Sequence, residues 1–192
     1  METINKENII LAMESEHQPE DFLEDGVYMQ FLDMYVVPRE VIELNEHRAT
    51  SRALRKAALD VLGMSKNELF LLAKENWEKR FSAEIVETFP NAYHIGGSLF
   101  GATEILTASL LSEIAEMEGN DLIIAPLSVC DIAVHPMGAL SNEAMLGGLM
   151  ANNIQMANDR LTDNILSCSL YHYHRDTGEV TLHAKVDSIE VR

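Results

Sequence analysis

Apolar residues along this chain recur with two different spacings. A repeat of about four residues, the mark of a helix face, is clearest in three places. Residues 40–62 carry Ala49, Ala53, Ala57 and Val61, with Leu54, Ala58 and Leu62 beside them and Gly63 as a C-terminal stop. Residues 65–81 open on Ser65-Lys66-Asn67-Glu68, a capping-box pattern. The segment then places Leu69, Leu72, Ala73 and Trp77 at helical intervals and ends near Phe81. Residues 102–117 align Leu106, Leu110, Leu111 and Ile114, and Gly119-Asn120-Asp121 closes them. Two further helices are expected. Residues 3–14 set Ile4, Ile9, Ile10 and Met13 roughly on one side. Residues 142–158 follow the cap Ser141 and contain Gly147 and Gly148. Each internal glycine costs about 1 kcal/mol relative to alanine, which points to close packing there.

Blocks rich in β-branched and aromatic residues predict strands. Residues 27–37 read as a strand stopped by Pro38. Residues 91–95 suggest a short strand, followed by the flexible Gly96-Gly97-Ser98-Leu99-Phe100-Gly101. Residues 122–125 and 129–135 are apolar runs bounded by Pro126 and Pro136. Residues 165–174 and 179–184 form a hairpin around Arg175-Asp176-Thr177-Gly178, where Gly178 supplies the positive φ of the turn. Helices and strands do not alternate strictly. The expected class is therefore α+β, with a mostly antiparallel sheet of about five to six strands and helices on one face.

The length of 192 residues suits one domain, or one domain with an arm. Residues 1–26 read as that arm, because Glu14, Glu16, Glu20, Asp21, Glu24 and Asp25 cluster around Pro19. Residues 27–192 read as the domain.

Charge narrows the partners. Fourteen Lys and Arg stand against 31 Asp and Glu, for a net charge of −17. Such a surface is repelled by bare nucleic acid and anionic membranes and suits a basic protein surface. No apolar run approaches the ~18 residues of a membrane span, and the first residues lack a secretion-signal pattern. Cys130 and Cys168 lie in apolar stretches, as reduced thiols of a cytoplasmic protein would. The sequence calls for no cofactor and leaves the oligomeric state open.

Several stretches resemble a known family: Leu69 through Lys74-Glu75-Asn76 to Phe81; Gly101-Ala102 through Ile105-Leu106; Gly119 through Ser128 to Val134-His135-Pro136; and the hairpin from Tyr173 to Glu179. The family is an uncharacterised domain of unknown function, common in anaerobic Gram-positive gut bacteria and often found near mobile elements. The resemblance spans residues 77–182 and implies a mobile-element context. Members typically carry a His-Glu pair where this chain has Cys130-Asp131.

Five features carry candidate chemistry. His172 and His174 share a strand face, and imidazoles with a carboxylate suit zinc. A four-residue turn would add His183 and Glu179 to that face, whereas a three-residue turn with a bulge would move His183 to the other. The alternative is a wet hairpin face. Cys130 lacks any cysteine-protease signature and, on a strand, would face away from Asp131; a structural thiol is the simpler reading. Gly96, Gly97 and Gly101 precede a helix, where amides could hold phosphate, but the spacing matches no phosphate loop and no lysine follows. Arg48, Arg52, Arg55 and Lys56 form a basic stripe if residues 40–62 are helical, which could hold RNA, DNA or an acidic partner; the alternative is pairing with the chain's own carboxylates or plain solvation. The acidic residues 14–25 could meet a basic partner as a nucleic-acid mimic would. The expected function is therefore a non-catalytic acidic interaction protein that binds a basic protein surface, such as an accessory or anti-defence factor of a mobile element. The alternative is a metal-dependent or hydrolytic enzyme at the C-terminal hairpin.

Overall fold

The computed structural model describes residues 3–15, 18–45, 48–81, 83–96, 100–139, 166–167 and 169–185. The chain forms two compact units, Met1–Ser82 and Ala83–Arg192. This places the boundary elsewhere than the arm-plus-domain division expected at residue 27. The class is α+β, built on antiparallel sheets of four and six strands.

In the first unit, β1 (Ile9–Glu14) pairs with the long β3 (Met34–Asn45), which also pairs with β2 (Met29–Phe31) and β4 (Arg48–Ala53). The expected helix over residues 3–14 is thus a strand after a short turn at Lys6–Asn8. Its residues Ile9 to Met13 are all buried, and an apolar run buried on both faces belongs to a strand more readily than to a one-sided helix. The acidic arm is likewise folded: β1 is followed by α1 (Glu20–Asp25), which buries Phe22.

The expected helix over residues 40–62 is also corrected. Residues 40–45 extend β3, residues 48–53 form β4, and only α2 (Ala57–Leu62) is helical before Gly63 turns at φ 63°. The four-residue alanine spacing lost to cross-strand pairing, a tertiary effect that overrides weak local preference. Pro38 does not stop β3. It lies where the edge partner changes from β2, paired through Val36, to β4, paired from Arg39, a position that tolerates a missing donor.

The helix α3 (Lys66–Arg80) behaves as its sequence requires. Ser65 Oγ accepts from Glu68 N at 3.3 Å while Ser65 N donates to Glu68 Oε2 at 2.8 Å, the reciprocal capping box. Leu69, Phe70, Ala73 and Trp77 are buried, and α3 packs on β1.

The second unit is a six-stranded sheet in the order β10-β9-β7-β8-β6-β5, antiparallel throughout. Its strands are β5 (Glu84–Phe89), β6 (Ala92–Gly96), β7 (Leu122–Pro126), β8 (Ile132–Pro136), β9 (Leu170–His174) and β10 (Glu179–Ala184). β5 was not foreseen in the sequence. The helix expected at 102–117 is broken: α4 (Glu104–Thr107) ends at Ala108, with φ 56°, and α5 (Ser109–Glu118) starts afresh. The buried Glu104 carboxylate accepts from Ser109 Oγ and Leu110 N, both at 2.7 Å, and so caps the new helix. α5 packs against β8. The helix expected at 142–158 lies outside the described residues. No helix among them is long and apolar enough to cross a membrane.

Candidate metal centre

Cross-strand partners share a sheet face, so register assigns each side chain of the second unit to a side. Tyr93, Val134, Ile124, Tyr171 and Leu182 are linked in successive pairs across the sheet and define one face. The Tyr93 hydroxyl on this side donates to Glu118 at the end of α5.

The opposite face collects histidines. His94 is paired with Ala133, and His135 with Ile123. Ile123 is in turn paired with His172, His172 with Thr181, and His174 with Glu179. The turn between β9 and β10 is the four-residue one, closed by Gly178 N donating to His174 O at 2.8 Å with Gly178 at φ 69°. That choice keeps Glu179 opposite His174. A register shift falls between Leu182 and Ala184, and the His183 ring centroid lies 6.0 Å from that of His172. Every histidine of the second unit therefore belongs to this face or beside it.

At its β9 end the face acquires a carboxylate that the sequence reading did not include. Asp121 immediately precedes β7, two residues before Ile123, and so points to the histidine side. Donor atoms of Asp121, His172 and His174 all lie within 4.8 Å of one another. Asp121 Oδ2 is 2.8 Å from His172 Nε2 and 4.0 Å from His174 Nδ1. The other ring nitrogen of His174, Nε2, is 2.9 Å from Thr181 Oγ1, which fixes the ring and leaves Nδ1 towards the carboxylate. The two imidazole centroids are 3.9 Å apart.

An outer shell holds the carboxylate. Arg175 N donates to Asp121 Oδ1 at 2.9 Å, and Met137 N donates to the Asp121 carbonyl at 2.7 Å. The Arg175 guanidinium makes two bonds to Glu116 of α5, at 3.0 and 3.1 Å. The Arg175 amide, then the His172 and His174 rings, hold the Asp121 carboxyl below the usual carboxylate range against the opposing effect of desolvation. Desolvation and the nearby His172 push His183 below the ordinary imidazole range. Desolvation lowers His135 as well.

Of the residues foreseen as ligands, the structure joins His172 and His174, brings His183 close, and leaves Glu179 opposite His174 but outside the cluster. Asp121 was read only as part of a helix stop. Its side chain is placed by pairing between β7 and β9, a relationship more than fifty residues long in sequence with no local signal.

The other candidates resolve differently. Cys130 sits in the bend before β8 rather than on a strand; its amide donates to Ser128 Oγ at 3.1 Å, and burial pushes its thiol up. Asp131 closes the same bend, accepting from Ser128 Oγ at 3.2 Å. Gly96 and Gly101 are explained by backbone proximity: an added Cβ would meet Asp131 Oδ1 at 2.4 Å or Cys130 O at 2.3 Å. The amides of Ala102 and Thr103 already donate to Val129 O and Phe100 O. Gly97 lies outside the described residues.

The basic stripe does not exist as a helix face. Arg48 and Arg52 lie on β4, and Arg55 and Lys56 follow it. Arg52 makes two bonds to the buried Glu40 carboxylate, at 2.9 and 2.7 Å. Arg55 binds Asp21 at 2.9 Å and approaches Asp25 at 3.9 Å. The acidic residues are thus partly neutralised: Glu14 pairs with Arg39, and Asp21 and Asp25 share Arg55, while Glu20 and Glu24 are exposed. Glu16 lies outside the described residues.

No protein-family model, curated protein or solved structure matches the chain.

Proposed function

We propose that the protein binds a divalent transition metal, zinc by preference, through Asp121 Oδ2, His172 Nε2 and His174 Nδ1. The single observation that carries this reading is the convergence of these atoms, from the residue before β7 and from β9, within 4.8 Å. Tetrahedral zinc with bonds of about 2.0–2.2 Å sets its ligand atoms about 3.3–3.5 Å apart. The separations from Asp121 Oδ2, 2.8 and 4.0 Å, bracket that value. Mixed imidazole and carboxylate donors favour zinc over the hard ions magnesium and calcium. The Arg175 amide and Thr181 hydroxyl supply outer-shell bonds of the kind that orient metal ligands. Three protein donors leave one position for exchangeable water, the arrangement that activates water in hydrolytic zinc sites. The test is the metal content of protein purified without an affinity tag, before and after chelation and zinc repletion. About one equivalent per chain is expected on repletion, and failure to take up zinc would remove the reading.

A second reading is contact with a basic protein surface, as an accessory or anti-defence factor of a mobile element. The net charge of −17 supports it, as does the resemblance to a family found near such elements. Internal pairing of Glu14, Asp21 and Asp25 shifts its weight from the N-terminal acidic residues to the surface charge as a whole. A salt-sensitive, nuclease-resistant protein partner captured from the host lysate would support it. Capture unchanged by high salt would oppose it.

A further inference from the structure

Cations in so acidic a chain usually find carboxylates. In the first unit Arg39 meets Glu14, Arg52 meets Glu40, Arg55 meets Asp21, Lys74 meets Glu78 and Lys79 meets Glu75. Lys56 and Lys66 depart from this pattern, as does Arg80, which donates to Glu7 O and Asn8 Oδ1. Lys56 Nζ donates to the backbone carbonyl of Glu24. Lys66 Nζ lies 5.9 Å from the Tyr28 ring centroid and 6.0 Å from that of Phe70, at the outer range of cation–π attraction. Among the described residues neither ammonium forms an ion pair with a carboxylate.

Both lysines line one cavity of about 320 Å³, together with Gly26, Val27, Tyr28 and Leu59. Its walls are tied by backbone bonds: Val27 N to Leu54 O at 2.9 Å, Lys56 N to Asp25 O at 2.8 Å, and a bridge between Gly26 and Arg55. Gly26 packs so closely that an added Cβ would meet Phe22 O at 2.5 Å, which keeps this wall free of a side chain. The volume is at the small end of ligand pockets, which span about 300–1,000 Å³.

We propose that this cavity binds a small phosphate monoester with an apolar body. The phosphate would lie between the Lys56 and Lys66 ammoniums, and the body against Tyr28 and Leu59. Two point charges on flexible stems suit a compact dianion. The chain's net charge of −17 disfavours extended polyanions such as nucleic acid. The aromatic wall of Tyr28 and the apolar Leu59 favour a ring or short alkyl group over bare inorganic phosphate.

The test titrates phenyl phosphate into the full chain and follows the Tyr28 ring resonances by NMR, assigned with Tyr28→Phe. A saturable one-to-one shift is expected. Lys56→Gln with Lys66→Gln should weaken binding by about tenfold or more, as loss of charge-assisted contacts implies. Lys74→Gln, which removes an ion-paired lysine on α3, should leave affinity unchanged. Inorganic phosphate and benzoate should each bind more weakly than phenyl phosphate. Absence of a saturable shift, equal affinity in the double variant, or benzoate binding as tightly would each overturn the assignment. Because Tyr28 is read in the unsubstituted protein, a misfolded variant cannot decide the outcome.

Discussion

Asp121 and His172 meet across the β7–β9 pairing, with Asp121 Oδ2 2.8 Å from His172 Nε2, and the backbone N–H of Arg175 holds the other carboxylate oxygen at 2.9 Å. One carboxylate thereby joins the β7 start, the histidine face and the β9–β10 turn. It ties the start of β7 to residues 172 and 175, which lie more than fifty residues later in sequence.

That geometry has an acid-stability consequence. The Asp121 carboxyl is held below its ordinary range, chiefly by the Arg175 amide. A depressed folded-state value means the stabilisation is complete above the ordinary carboxylate range and is lost as pH falls through the folded value. Thermal unfolding followed from neutral to acid pH should show this loss in the native protein. Asp121→Asn should show a shallower acid dependence, and equal slopes would contradict the role given to the carboxylate.

Tyr93 behaves oppositely. Its hydrogen bond to Glu118, with burial and the nearby negative charges, pushes the phenol up to about 12. A raised folded value gives stabilisation that is complete below the ordinary phenol pKa of about 10 and is lost as pH rises through the folded value. Ultraviolet titration should show a late tyrosine near pH 12 that Glu118→Gln moves down and Tyr93→Phe removes.

Glu104 supplies the start of α5. Its substitution by alanine removes the acceptor for the half-buried Leu110 N–H and should cost about 0.5–2 kcal/mol, the usual cost of losing a helix cap. Glu104→Gln keeps an acceptor and should cost less. Denaturant unfolding of the two variants checks the order.

Gly101→Ala should destabilise the second unit, because its new Cβ would come within 2.3 Å of the Cys130 carbonyl. Rigid backbone lies on the other side, so about 1–3 kcal/mol of strain is expected from such overpacking. A neutral outcome in denaturant unfolding would show that the Cys130 bend yields.

Local signals in the sequence identify those elements whose causes are local. The Ser65–Glu68 box marks the start of α3, and Gly178 marks the β9–β10 turn. β1 and β4 are misread because their pairing with β3 is non-local, and alanines spaced by four imitate a helix where strand partners decide. The Ala108 break in the expected helix depends on Glu104 folding back as a cap, which periodicity does not encode. At the candidate site His172 and His174 are legible from their alternate spacing on one strand. Asp121 is not, because only the pairing of β7 with β9 brings it there.

Calorimetric titration of zinc into tag-free, chelator-stripped protein, alongside Asp121→Asn, His172→Ala and His174→Ala, decides whether Asp121, His172 and His174 hold a metal. One site per chain is expected in the native protein, with a loss of affinity of about tenfold or more in each variant, as deletion of a metal ligand entails. Zinc binding of equal strength in all three variants, or none in the native protein, would contradict that assignment.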